Sequence, residues 1–504
     1  MQRLQQIYTD YFPSLTALSV SFLLFSPYIN ANGYGGALAI DKLTLLFIII
    51  HASLLIVSKI LYLLSSIIII IINIIYIHIV NQWGEVSFTN RISIALESPS
   101  NEQIDYLSTY LSLFDFAIAI FSITCALLVR YIIIRQKKPQ KLFAFALLLL
   151  ISGGSWGVSR IDRFSDHKFV IIPMEIYEAE SRKLQVKTRN SIIANNVSVL
   201  PGTCTEEYQQ IAIVIGESAY KNRLGLYGYK ANTTSRLGEL IPFRFNAFSA
   251  ANQTRYAVPL MMTDATTNDF PSFFISRSIV SDLKACGYKT MWISNQSRNG
   301  KHDDFIASIA NEADVQHYLN KNWLGEISYD EELIPAFENL HSHSDKKIAV
   351  FFHLAGSHFE YSRRFPKSFY ANPPKNVGHA YDLSIQYTDK VLAQIFDSFS
   401  KEKLLFLYAS DHGEIVSETK QGHGFIPAHK DEYLVPFLAW SSKPERLMEL
   451  TKAVGDKEIN MDSFHSIVRY LAGIDAHPTI SYDTQVINTD PRFKVDFKKL
   501  AYFK

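Results

Sequence analysis

Across 504 residues, 49 Lys and Arg stand against 48 Asp and Glu, a net charge of +1 that argues against any role built on bulk attraction to nucleic acid. The length allows more than one domain. The apolar residues are unevenly spread: residues 1–160 hold nearly all the long apolar runs, and 161–504 has the composition of a soluble globular protein.

The chain opens with an apolar span at 12–29 and no cleavage pattern behind it, so an anchor is expected rather than a removed signal peptide. Residues 43–80 are too long for one membrane span of about 20 residues and suit two, 43–60 and 62–80. Lys59 falls at the turn between them, sparing a cost of ~3 kcal/mol at a bilayer centre. Spans at 111–134 and 142–158 complete a five-helix transmembrane domain over 1–160. The basic loop RQKKPQK at 135–141 belongs on the cytoplasmic side, which places 81–110 and 160–504 outside. Arg160, Arg163 and Lys168 oppose that orientation weakly, because long domains translocate largely regardless of such charges. The expectation is a multi-pass protein of a bacterial inner membrane with its large domain in the periplasm. Residues 161–205 read as a linker with short helices.

From 206 onward, short apolar runs end in polar groups. IAIVIGES (211–218) has the aperiodic apolar character of a strand buried on both faces, closed by Gly216, Glu217 and Ser218. KTMWISNQ (289–296) ends in Asn295 and Gln296, KIAVFFHLAGSH (347–358) in His353 and His358, and KLLFLYASDHGE (403–414) in Asp411, His412 and Glu414; VPFLAWSS (435–442) is a fifth core strand. Helical patterns at 274–285 and 380–399 lie between them. Such alternation predicts an α/β domain over 206–504 with a mostly parallel central sheet. In such sheets the functional site lies beyond the carboxyl ends of the strands.

Each polar strand end has an ordinary explanation when taken alone, since Glu217 or Asp411 could cap a helix and His358 or His423 could be loop histidines. On one sheet edge together, Glu217, Asp411, His412, His358 and His423 form a mixed oxygen and nitrogen set that suits zinc. A metal site of this kind wants a nucleophile, and SAANQTRYAVPLMMT (249–263) offers Thr254 just before an expected helix start. Cys204 and Cys286 lie in the exported domain 82 residues apart. Spacing alone proves no pairing. The expectation is a domain that needs no disulfide.

The ordered motifs resemble those of the membrane phosphoethanolamine transferases of the sulfatase and alkaline-phosphatase superfamily. The resemblance rests on IVIGESAYKNRLGLYGYKANTTSRL (213–237), QTRYAVPLMMT (253–263), WISNQ (292–296), HLAGSHFEYSRRFP (353–366), AYDLSIQYTDKVL (380–392), SDHGE (410–414), GHG (422–424), VPFLAW (435–440) and, in the outer loop, IALESPSNEQIDYL (94–107). It implies that Thr254 is the nucleophile and itself touches zinc, with Glu217, Asp411 and His412 completing the ligand set. It places His358 and His423 near the transferred phosphoryl group or on a second zinc, and His353, Asn295 and Gln296 along the pocket. The implied donor is phosphatidylethanolamine and the implied acceptor a lipopolysaccharide-type molecule, either lipid A or an inner-core sugar. The same fold serves phosphoglycerol transfer, and a non-catalytic envelope scaffold is the alternative of another class. The formylglycine motif of arylsulfatases (Cys or Ser, any, Pro, any, Arg) is absent around 254. Many relatives flank the nucleophile with cysteines; here Asn252, Gln253 and Leu260 stand there, so packing alone is expected to hold the loop.

Overall fold

The computed structural model describes residues 184–193 and 204–503, except 206, 297–303, 320–327 and 342–346, with a few isolated positions between 60 and 124. Apart from those positions, the five expected spans and the 94–107 motif lie outside the described residues. Among the described residues no helix is long and apolar enough to cross a membrane.

The large domain is built on an eight-stranded sheet in the order β10-β2-β9-β6-β1-β5-β3-β4. Its strands are β1 (Gln210–Gly216), β2 (Phe243–Phe248), β3 (Lys289–Ser294), β4 (Val315–Tyr318), β5 (Ile348–His353), β6 (Leu404–Ser410), β9 (Leu434–Ser441) and β10 (Ile459–Asn460). Two small ribbons lie outside it, β7–β8 (Ile415–Val416 with Gln421–Gly422) and β11–β12 (Gln485–Asn488 with Asp490–Asp496). β1 pairs in parallel with β5 and β6, and β3 with β4 and β5. Only β9, among the sheet's strands, runs against its neighbours.

The aperiodic runs follow from burial on both faces. On β1, Ile211, Ile213 and Ile215 pack in one core cluster with Trp292, Phe351 and Leu407, while Ala212 and Val214 pack in another with Val350, Phe352 and Phe406. Fully burying each large aliphatic side chain is worth about 2 kcal/mol. Helices α2 (Thr254–Met262), α3 (Ile279–Ala285) and α5 (Phe464–Leu471) cover the first face. The long helix α4 (Val377–Asp397) covers the second through Leu383, Tyr387, Val391 and Ile395.

Residues 184–193 form a helix, α1, inside the segment expected to be a linker. Its Arg189 is fully buried. The guanidinium pairs with Glu312 at 2.6 Å and donates to the carbonyls of Phe273, Ser276 and Ser308.

The expectation that Cys204 and Cys286 stay unbridged is overturned. They form a disulfide with a Cα–Cα distance of 5.6 Å. Cys286 directly follows α3, and both cysteines pack on the same core cluster. The fold brings together what the chain separates by 82 residues.

Candidate metal and transfer site

Strand register assembles the site. Gly216 at the end of β1 lies opposite Ser410 at the end of β6, and Ile215 lies opposite His353 at the end of β5. The next residue on β1 is Glu217 and the next two on β6 are Asp411 and His412, so three ligand-type side chains leave adjacent strand ends. Gly216 permits this, because a Cβ there would meet the Tyr408 hydroxyl at 2.7 Å. Gly356, at φ 53°, is required for a similar reason: a Cβ would meet the Glu217 carbonyl oxygen at 2.5 Å.

Glu217, Asp411 and His412 are all buried, and one ligand atom from each lies within 4.8 Å of the others. His412 Nε2 stands 3.4 Å from Glu217 Oε1 and 3.3 Å from Asp411 Oδ2. Thr254 is the first residue of α2. Its Oγ1 lies 3.1 Å from both Glu217 Oε2 and His412 Nε2. His412 Nδ1 sits 2.9 Å from the Gly413 carbonyl oxygen, which favours a proton there and leaves the lone pair on Nε2. Asp411 Oδ2 is buried with no hydrogen-bond partner. A buried carboxylate oxygen left in that state calls for a cation. Two carboxylates, one imidazole and one hydroxyl match the ligand number and chemistry of zinc.

The remaining candidates separate. Gln296 joins the cluster, its Nε2 donating to Glu217 Oε2 at 3.1 Å and to the Leu354 carbonyl at 2.8 Å. Asn295 turns to Asp330 Oδ1, at 2.8 Å, and the Ser328 carbonyl. Asp330 in turn accepts from the amides of Ala355 and Gly356, so Asn295 helps to hold the loop that leads to His358. His353 Nδ1 lies 3.3 Å from Ser294 Oγ, and burial takes the imidazole down to about 4 against the pull of Glu217. His358 and His423 face each other with ring centroids 5.8 Å apart, and the His423 ring lies 3.9 Å from that of His412. Burial also takes His358 to about 4, with Glu217 opposing, so its ring is neutral near pH 7. His412 is pulled the other way: burial disfavours its charge, but Asp411 and Glu217 outweigh it.

Several supporting residues surround these, and of them only Glu414 stood among the strand-end groups. Glu414 is buried, which pushes its carboxyl well up, and it takes His423 Nδ1 at 2.8 Å and the Tyr361 hydroxyl at 2.8 Å. His412, Glu414 and His423 form a second group with metal-ligand spacing. The loop leading to Thr254 is not held by packing alone, as the lack of flanking cysteines suggested. Asn252 Nδ2 donates to Glu432 Oε2 and Asn488 Oδ1, and Asn252 Oδ1 accepts from the Thr489 amide at 2.8 Å. Burial raises the Glu432 carboxyl to about 7. Its oxygens also take the amides of Phe425 and His429. A sequence signal did exist in the SDHGE segment, which ends in Glu414; nothing marked Asn252 and Glu432, 180 residues apart.

A sulfatase family model matches residues 209–474, just over half of the chain. The chain belongs to the sulfatase family. Curated relatives include the phosphoethanolamine transferase EptC of Escherichia coli K12, 24% identical over 72% of this chain and 70% of that protein. The phosphoethanolamine transferase CptA of Salmonella typhimurium is 24% identical over 82% of this chain and 79% of that protein. Among solved structures, the C-terminal periplasmic domain of E. coli EptC in complex with Zn superimposes with a TM-score of 0.51 at 23% identity, covering 60% of this chain and 96% of that one. The integral membrane lipooligosaccharide phosphoethanolamine transferase A of Neisseria meningitidis gives 0.54 at 15% identity, covering 94% and 96%. At these identities the structural likeness shows the shared sulfatase-type fold.

Proposed function

We propose that the chain transfers phosphoethanolamine from phosphatidylethanolamine to a lipopolysaccharide-type acceptor, lipid A or an inner-core sugar, through an ester on Thr254. The observation that carries this reading is the Thr254 hydroxyl, at a helix start and 3.1 Å from both Glu217 and His412. The names of the curated relatives supply the transferred group. Relatives named as Kdo(2)-lipid A phosphoethanolamine 7''-transferases support an acceptor of the lipopolysaccharide class.

Glu217, Asp411, His412 and Thr254 would hold the zinc, which when bound makes a hydroxyl acidic enough to ionise near neutral pH and opposes charge on phosphoryl oxygens. Thr254 Oγ1 attacks phosphorus while the bond to the glycerol oxygen breaks. That oxygen leaves with the electron pair and takes a proton, giving diacylglycerol, and phosphoethanolamine stays esterified to Thr254. His358 and His423 line the approach and offer ring nitrogens to the non-bridging oxygens, with Glu414 orienting His423 through Nδ1. An acceptor hydroxyl or phosphate then attacks the same phosphorus and releases Thr254.

The reading extends to a membrane-anchored protein with spans at 12–29, 43–60, 62–80, 111–134 and 142–158 and a periplasmic domain from about 206. Ile60, Ile68 and Ile120 support it, as helical residues with 70%, 57% and 66% of their surface open. Purified full-length protein in mixed micelles with phosphatidylethanolamine and lipopolysaccharide tests the reading. Diacylglycerol should accumulate while the acceptor gains phosphoethanolamine by mass. Transfer only from phosphatidylglycerol would move the assignment to phosphoglycerol, and no transfer from either lipid would contradict it.

A further inference from the structure

A cavity of about 430 Å³ opens beside the β7–β8 ribbon. The ribbon's roots are Glu414 and His423, and its residues Ser417 and Glu418 form one wall of the cavity. The opposite wall is a closed polar triangle. Arg223 Nη1 donates to the Tyr229 hydroxyl at 2.8 Å and to Asp382 Oδ1 at 3.0 Å, and the Tyr229 hydroxyl donates to Asp382 Oδ2 at 3.1 Å. These side chains are largely sheltered, with Arg223 21% and Asp382 14% exposed, so the triangle is held in place before any ligand arrives. Arg223 Nε and Nη2 make no hydrogen bond among the described residues. Glu418 Oε1 is tied to the Val377 amide at the start of α4, which fixes the ribbon wall as well.

The lining selects a ligand class. Arg223 stands against two carboxylates, Asp382 and Glu418, and His379 Nδ1, also in the lining, accepts from the Lys375 amide, so a phosphate or other lone anion would meet net repulsion. Apart from the Tyr229 ring and Val416 the wall is polar, so an acyl chain would leave buried polar groups unpaired. A neutral ring dense in hydroxyls meets neither objection. Each hydroxyl can donate to Asp382 or Glu418 and accept from Arg223 or Ser417, and the Tyr229 ring offers an aromatic face. We propose that this cavity takes a sugar ring of the acceptor glycan, bound one ribbon away from the phosphoryl-transfer site. This rests on the transferase reading and specifies where its acceptor is gripped.

Steady-state transfer in mixed micelles, with full-length Asp382→Asn, Tyr229→Phe and Ser417→Trp proteins, tests it. Phosphatidylethanolamine and lipopolysaccharide are varied separately. Each substitution should raise KM for lipopolysaccharide about tenfold, the loss expected for one or two polar contacts, while KM for phosphatidylethanolamine stays at the wild-type value. Ser417→Trp alters a half-buried ribbon residue and fills the cavity, so it reports even if a change in the triangle impairs folding. Unchanged KM for lipopolysaccharide in Ser417→Trp overturns the proposal. So does a rise confined to phosphatidylethanolamine, which would give the cavity to the donor head group. A wild-type protein that releases no diacylglycerol contradicts the transferase reading itself and takes the cavity assignment with it.

Discussion

Ser218 holds a φ of 56°, a left-handed conformation uncommon for a residue with a Cβ, and it does so between Glu217 and the loop beyond it. Strain of this kind costs of order 1–3 kcal/mol and persists only where neighbours over-determine it. The neighbours are identifiable. The Tyr381 hydroxyl donates to the Ser218 carbonyl at 2.7 Å and accepts the Tyr220 amide at 2.7 Å, while the Ser218 amide donates to Asp411 Oδ1 and its hydroxyl to Glu217 Oε1. Tyr381 therefore sets the turn that aims Glu217 into the cluster without touching the metal position. Tyr381→Phe should weaken zinc binding roughly 10- to 100-fold, as loss of a ligand's support does. It should lower stability by only about 1 kcal/mol. Competition with a zinc chelator, alongside thermal unfolding, separates the two; full zinc affinity in the variant would remove Tyr381 from this role. The sequence exposes Glu217, Asp411 and His412 because acids and histidines stand out at the ends of apolar strands. It hides Tyr381, which looks like any other buried aromatic on the apolar face of a helix.

At the scale of elements, strands buried on both faces were legible from their unbroken apolar runs; β3, β5 and β6 fall inside segments read that way, and β1 does so except for Gln210. β2 was not, because Arg244 and Asn246 alternate with Phe245 and Ala247 in FRFNAF, the pattern of a strand with one exposed face. The disulfide and the docking of α1 on the domain were missed for a common reason. Both depend on groups that meet only after folding, and spacing along the chain carries no trace of them. α1 is fastened by Arg189, with Val186 buried in the core cluster beside it. Arg189 is 0% and Glu312 3% exposed at the side chain, and the Glu312 carboxylate also accepts from the hydroxyls of Ser278 and Ser281. Removing one partner of a buried pair strands the other, so Arg189→Ala should destabilise the domain by about 3–5 kcal/mol. Denaturant unfolding of the detergent-solubilised protein measures this. A loss below about 1 kcal/mol would show that α1 is attached mainly by apolar packing.

At the scale of the molecule, stability draws on a charged cluster apart from the proposed transfer site. Away from the proposed metal site, His465 on α5 sits 3.0 Å from the buried Asp282 and 2.8 Å from Asp264, with Arg469 also on Asp282. Burial disfavours the imidazolium, but the two carboxylates outweigh it and raise His465 from 6.5 to about 9. A group raised on folding stabilises fully below its unfolded value and loses that contribution as pH climbs through its folded one. The melting temperature should therefore fall between pH 6.5 and about 9, and His465→Gln should flatten that decline. A decline of equal steepness in the variant would assign it to other groups. In the proposed mechanism, transfer depends instead on the sheet edge where β1, β5 and β6 end, and on one hydroxyl there. The most direct measurement is the mass of the purified full-length protein, and of its peptide containing Thr254, after incubation with phosphatidylethanolamine and no acceptor. One phosphoethanolamine is expected on Thr254, released when lipopolysaccharide is added and absent from Thr254→Ala. An unmodified Thr254 in wild-type protein that releases diacylglycerol, or a Thr254→Ala protein that still modifies lipopolysaccharide at the wild-type rate, would contradict it.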